Sequence, residues 1–247
     1  MPTLILEQKS RSLGRDEILL YEEQYLHRGQ PVRYVPIKHL RQKRADALPK
    51  PDEFVAGSIE FVHAALKSLG LPVPPIVYYP EALKPWLHRR IWQTTLAEAV
   101  ARLEATTEPL FVKPAESLKA FTGAVFEDAA ILNAVPYPKR KKVWCSQPVV
   151  WQAEWRAYVV DGQVKAISHY AGDESLSPDR GVIEKAVGAL LASGWPSRNF
   201  CCDFGLLSTG ETAGVEYGDG YSMGAYDIAR EDYYAMIFNW WREQVQR

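Results

Sequence analysis

The stretch Phe200-Cys201-Cys202-Asp203-Phe204-Gly205-Leu206-Leu207-Ser208-Thr209-Gly210-Glu211-Thr212-Ala213-Gly214-Val215-Glu216-Tyr217-Gly218-Asp219 reads as a β-hairpin. Two apolar runs flank Ser208 to Glu211, a turn composition. With the turn centred between Thr209 and Gly210, Asp203 and Glu216 are equidistant from it and face each other on one side of the ribbon. Opposed Cβ atoms in an antiparallel pair lie about 5 Å apart, where like charges repel. Two carboxylates in otherwise apolar strands therefore need compensation. A hard divalent cation supplies it, since Mg²⁺ takes carboxylates together with substrate phosphates. A Lys or Arg partner, or an outlet to solvent, is the simpler alternative. Asp219 follows close behind as a third carboxylate.

On either side of this hairpin the pattern continues. Trp155 to Val160 and Gln163 to Ser168 flank Asp161-Gly162, a favoured two-residue hairpin turn. Glu154 and Arg156 alternate at its start and so share a face. A helix begins near Ser177-Pro178 and carries Val182, Ala186, Ala189 and Leu190. The chain ends in a helix with Tyr233, Ile237, Trp240 and Trp241, an aromatic stripe that is core or interface and leaves a homodimer open. Upstream, Leu110-Phe111-Val112-Lys113-Pro114 closes an apolar strand on a lysine. The following Ala115 to Gly123 adds Lys119, Ser117, Thr122 and a glycine, a composition suited to phosphate oxygens although not the spacing of a Walker A loop. Val143 to Val150 reads as another strand. Thr95 with Glu98 forms a capping box for the helix bearing Leu96, Val100 and Leu103.

The N-terminal part opens β-α-β: a strand at Thr3 to Leu6, a helix through Ile18, Leu19, Tyr25 and Leu26, and a strand at Pro31 to Pro36. Basic and polar residues 38–53 read as a solvated linker. Val55, Ile59, Val62, Leu66 and Leu69 step at helical spacing, and Gly70 and Pro72 end that helix. A proline-rich segment from Pro72 to Pro85 follows.

The chain of 247 residues holds ample core. A net charge of −1 offers no bulk attraction for nucleic acid or an anionic membrane, and no apolar run approaches bilayer length. The N-terminus lacks the basic lead and apolar segment of a signal peptide. Cys145, Cys201 and Cys202, without CxxC spacing, read as buried free thiols of a cytoplasmic protein rather than a zinc site. The five histidines show no ligand spacing.

Six short motifs occur in a familiar order: Phe111 to Pro114, Lys119 to Gly123, Ser146-Gln147-Pro148-Val149, Glu154 to Gly162, Asp203-Phe204-Gly205, and Val215 to Ser222. In this the chain resembles the ATP-grasp superfamily of carboxylate–amine ligases, and more closely its clade named for two arginines and one lysine. The resemblance implies an α+β ATP-grasp fold. A small N-terminal α/β lobe (1–84) precedes two α+β lobes (85–150 and 151–247) that clasp ATP. It implies that Arg90, with Arg89 as rival, gives a first phosphate contact, and that Lys113 reaches the α- and β-phosphates. Lys119 and Thr122 would lie on a phosphate loop. Gln147 would sit at the hinge by the adenine amino group, with Val149 and Val150 meeting adenine through backbone groups. Glu154 would bind ribose, Arg156 would face phosphate or a substrate carboxylate, and Asp203 and Glu216 would hold Mg²⁺. Where the family shows Glu-x-Asn this chain has Gly218; Asp219 is expected to stand in for the missing ligand, the alternatives being a weakened second metal site or nucleotide binding without turnover. The implied activity is ATP-dependent ligation through an acyl phosphate, on an amino-acid or peptide substrate that supplies a carboxylate and an amine. A phosphotransferase on the same fold, or an ATP-binding regulatory or scaffold domain without ligation, are the alternatives.

Overall fold

The computed structural model describes residues 2–9, 13–116 and 120–246. Strand β1 (Thr3–Glu7), helix α1 (Arg15–Tyr21), strand β2 (Val32–Val35), helix α2 (Ile37–Arg41), strand β3 (Glu53–Ala56) and helix α3 (Ile59–Ser68) build the first unit. Its parallel sheet has the order β2-β1-β3. Leu4, Ile5 and Leu6 are fully buried, as the central strand of a parallel sheet requires. Two expectations are corrected here. Residues 38–53 are not a solvated linker: they include α2, bury Leu40 and Ala47, and lead into β3. Val55 belongs to β3 rather than to the helix. That helix starts only after Ser58, whose hydroxyl accepts from the Phe61 amide. A four-residue strand followed by Gly57 mimics helical spacing when only its apolar residues are counted. Ile18, Tyr25 and Leu26 are exposed, so that helical spacing marks an outer face; α1 itself passes into a π-helical segment, Glu22–His27.

The second unit has strand β4 (Ile91–Thr95), helix α4 (Leu96–Thr106), strands β5 (Leu110–Pro114) and β6 (Ala124–Phe126), helix α5 (Ala129–Asn133) and strand β7 (Lys142–Ser146). The sheet is antiparallel, ordered β4-β7-β5-β6. The capping box of Thr95 and Glu98 is formed at the start of α4.

The third unit has strands β8 (Trp151–Val160) and β9 (Gln163–Gly172), helix α6 (Arg180–Ala192), strands β10 (Phe200–Leu207) and β11 (Thr212–Asp219), and helix α7 (Arg230–Val245). Its antiparallel sheet has the order β11-β10-β8-β9. Asp161 and Gly162 both take positive φ (50° and 78°), as the β8–β9 turn needs. Helix α6 starts after Asp179, whose carboxylate accepts from two first-turn amides. Its buried face is Ile183, Ala186, Val187 and Leu190, shifted from the expected one.

Strand alternation splits the core. Ala157, Val159, Phe200 and Cys202 pack on α6, while Tyr158, Val160 and Cys201 pack on α7. The three free cysteines are buried, with Cys201 and Cys202 on opposite faces. The stripe on α7 is core: Trp240 and Trp241 are 1% exposed and share one cluster with β1, β3 and α3. Trp241 Nε1 donates to the Glu53 carbonyl at 3.0 Å, so α7 fastens the first unit to the third. Trp241→Ala should lower the unfolding free energy by about 3–5 kcal/mol, read by denaturant titration.

Candidate functional site

Asp203 of β10 pairs directly with Glu216 of β11, as the hairpin reading requires. The route differs from the expected one. Phe204 faces Gly214 and Leu206 faces Thr212, one residue out of step with a symmetric turn, and a bulge at Val215 restores the pairing at Asp203 and Glu216. The turn closes through Gly210, at φ 85°, whose amide donates to the Leu207 carbonyl at 2.8 Å. Asp203 also pairs across β10–β8 with Arg156. These residues lie on the face of the sheet that carries Tyr158 and Cys201, beyond the point where α7 covers it.

Each acid has its own cation. Arg156 grips Asp203 bidentately, Nε to Oδ1 and Nη2 to Oδ2, both at 2.8 Å. Lys113, at the end of β5, pairs with Glu216. Two tyrosines from the proline-rich segment hold the ammonium from the other side: Lys113 Nζ lies 3.4 Å from the Tyr78 ring centroid and 5.0 Å from that of Tyr79. The Tyr78 carbonyl accepts from the Tyr217 amide at 2.8 Å, which fixes this segment along the free edge of β11. Burial is the largest influence on Lys113 and Asp203. It pushes the Lys113 ammonium down and the Asp203 carboxyl up, against the pull of their ion partners. Burial also opposes the Arg156 charge, yet the Asp203 pair overrides it and raises the guanidinium further. Glu154 is pushed up by burial and by the nearby Asp203 and Glu216 charges, and accepts from the Tyr170 hydroxyl at 2.9 Å.

A cavity of about 370 Å³ opens between the second and third units. Lys113, Gln147, Val149, Glu154 and Glu216 line it, together with Tyr79, Arg89 and Trp151. Such a volume suits a small ligand or a nucleotide. A second cavity of about 380 Å³ lies on the other side of Glu216 and is reached by Arg156, Tyr78 and Asp219. Glu216 lines both.

The expected residues separate on these walls. Arg89, the rival, is the arginine at the first cavity. Its guanidinium donates to the Gly214 and Val215 carbonyls at 2.7 and 3.0 Å and lies over Trp151. Arg90 is exposed and lies over Trp92, because successive residues of an extended chain point to opposite sides. Thr122 is exposed and Val150 is 77% exposed; neither lines the cavity. Lys119 lies outside the described residues. The Gln147 side-chain oxygen Oε1 accepts from the Arg90 backbone amide at 3.1 Å, which leaves that oxygen one lone pair for another donor. Asp219 does not stand beside Glu216 as a replacement ligand. It accepts from the Tyr217 hydroxyl at 2.8 Å, on the opposite face of β11 from Glu216 and Gly218. The space beside Gly218 is taken by Met223, whose Sδ would be 2.9 Å from a Cβ placed there.

The sequence reading missed Tyr78, Tyr79, Trp151, Tyr170 and Met223. One signal lies in the sequence, a glycine inside a strand at position 205, and the structure gives its reason: a Cβ there would fall 2.3 Å from Trp151. Among the described residues no three His, Cys, Asp or Glu side chains converge as a metal set. The donors fit a Mg²⁺ that brings most of its ligands with it. Glu216 keeps 34% of its side chain exposed, opposite Asp203, and Mg²⁺ commonly takes one or two carboxylates plus phosphates and water.

Breaking the buried Arg156–Asp203 pair on one side should be costly. Arg156→Met is expected to lower unfolding free energy by about 3–5 kcal/mol, and adding Asp203→Leu should recover most of that loss in the same denaturant titration.

Residues 86–236 match the model of an ATP-grasp domain family, the second family of the clade named for two arginines and one lysine. No curated protein sequence matches the chain significantly. Among solved structures, D-cycloserine synthetase DcsG superposes with a TM-score of 0.63 at 13% identity, over 98% of this chain and 99% of that one. The RimK domain ATP-grasp protein of Sphaerobacter thermophilus gives 0.60 at 15% identity, over 96% and 98%. D-alanyl-alanine synthetase A of Vibrio cholerae gives 0.58 at 15% identity, over 96% and 92%. At these identities the structures speak for the fold alone. The sequence match spans more than half the chain, and with it the sheet that carries Lys113 and the sheet that carries Arg156, Asp203 and Glu216: the protein belongs to the two-arginine, one-lysine clade of the ATP-grasp family.

Proposed function

We propose that this protein is an ATP-dependent ligase that joins a carboxylate to an amine through an acyl phosphate. One observation carries the reading: the Lys113–Glu216 pair stands at the junction of two cavities of similar size, and Glu216 belongs to both. In this reading the first cavity takes ATP. Val149 and the Gln147 amide meet adenine, Glu154 meets ribose, and Arg89 and Lys113 meet phosphates. Lys113 is held by Glu216 until phosphate oxygens replace that carboxylate. Glu216 and Asp203 would then hold Mg²⁺, which supplies charge stabilisation to the transferring phosphoryl group. The three-lobe division at 84/85 and 150/151 goes with this reading, the ATP cleft lying between the second and third lobes. A cytoplasmic setting is supported by the three free thiols.

The chemistry runs in two steps. A carboxylate oxygen of the substrate attacks the γ-phosphorus, the bond to the bridging oxygen breaks, and ADP leaves with that electron pair. Lys113 and Arg89 offset the charge. An amine nitrogen then attacks the acyl carbon. The carbon–oxygen bond to phosphate breaks, inorganic phosphate leaves, and the amine proton passes to solvent. Tyr78 and the strap that carries it separate this second step from water. A second reading is nucleotide binding without turnover, favoured by Gly218, which offers no ligand, and by Met223 against it.

Purified protein with Mg–ATP should release ADP and phosphate only when a carboxylate and an amine are supplied together. Tight nucleotide binding with no turnover across an amino-acid panel would select the second reading. A phosphorylated product without an amine requirement would make the protein a phosphotransferase. Lys113→Ala should abolish nucleotide binding by calorimetry; unchanged affinity would contradict the assignment of the first cavity.

A further inference from the structure

Charge is distributed unevenly over the second cavity. Among the described residues that line it, Arg156 is the one cation, and both carboxylate oxygens of Asp203 already occupy it. Asp16 adds a further negative charge near the guanidinium, held in place by the Ala225 amide at 2.9 Å. Glu216 and Asp219 also line it, Glu216 paired with Lys113 and Asp219 accepting from the Tyr217 hydroxyl on the other face of β11. The remaining wall is apolar and aromatic. Ile59 comes from α3, and Pro75, Ile76 and Val77 come from the strap along β11. Met223 and Tyr226 close the far side. Arg156 lies over Tyr226 at 5.2 Å and its Nη1 donates to the Gly224 carbonyl at 3.4 Å, which leaves one N–H on each terminal nitrogen.

These walls fit one ligand chemistry. Arg156 still has N–H groups to meet a single carboxylate. A second carboxylate, carried on a side chain along Ile59, Ile76, Val77 and Met223, would find no cation on that wall. An ammonium meets ring faces instead, those of Tyr78 and Tyr226. An aliphatic or aromatic side chain would replace water along Ile59, Ile76, Val77 and Met223. We infer that the second cavity selects an α-amino acid with an uncharged, apolar side chain as the amine substrate and turns away acidic amino acids. This rests on the ligase reading and narrows it. Ile76 and Met223 become specificity-determining residues, and the proline-rich strap becomes a wall of the substrate site.

Calorimetry on the full chain saturated with Mg²⁺ and a non-hydrolysable ATP analogue tests the inference, with leucine, phenylalanine and glutamate as separate titrants. Leucine and phenylalanine should bind about tenfold or more tightly than glutamate, because an unpaired carboxylate is costly to bury. Ile76→Arg, at a partly exposed position of the strap, should improve glutamate binding and weaken leucine binding while nucleotide affinity stays unchanged. Glutamate binding as tightly as leucine, or no amino acid binding to the nucleotide-loaded protein, would overturn the inference and leave nucleotide binding intact. Failure of the analogue itself to bind would overturn the ligase reading, and this inference with it.

Discussion

The structure turns on two carboxylates placed face to face. Asp203 and Glu216 sit across a β-ladder where like charges repel, and the surrounding chain is arranged to answer that repulsion. The β8 strand brings Arg156 beside Asp203, and the β5 strand of a different sheet brings Lys113 to Glu216. The two answers are unlike. Arg156 is locked by two parallel hydrogen bonds within one sheet and is almost fully buried. Lys113 reaches from one unit to another, onto a carboxylate that remains a third exposed. The first pair is a fixture of the third sheet. The second is the contact that, in the proposed function, nucleotide phosphate replaces.

That difference explains the placement of the cavities. A ligand that enters between the second and third units meets the Lys113–Glu216 contact rather than the Arg156–Asp203 pair. Aromatic rings of the strap, Tyr78 above all, keep the ammonium in position from behind. The strap is in turn fixed to the edge of β11 by a backbone hydrogen bond. The same segment that steadies the lysine walls both cavities, Tyr79 lining the first and Tyr78 the second, and the two compartments share Glu216.

Much of this was legible in sequence, for identifiable reasons. Strand alternation placed Glu154 with Arg156, and the apolar run ending in Lys113-Pro114 marked a strand-end lysine. The hairpin yielded the Asp203–Glu216 pairing because the real turn and the bulge at Val215 offset each other. What was not legible depends on tertiary context. Whether Arg89 or Arg90 faces the cavity depends on the phase of an extended segment entering β4, which charge alone does not report. Asp219 fails as a stand-in for the same reason: one residue along a strand changes the face. The strand β3 was hidden because a short buried parallel strand and the first turn of a helix share the same apolar residues. The strap's role lies entirely in what it packs against.

In the proposed function, Lys113 exchanges Glu216 for nucleotide phosphate. A crystal structure with Mg²⁺ and a non-hydrolysable ATP analogue measures this directly. The expected result is the analogue between the second and third units, with Lys113 Nζ on its phosphate oxygens and no longer on Glu216. An analogue bound elsewhere, or bound there with the Lys113–Glu216 pair intact, would contradict it.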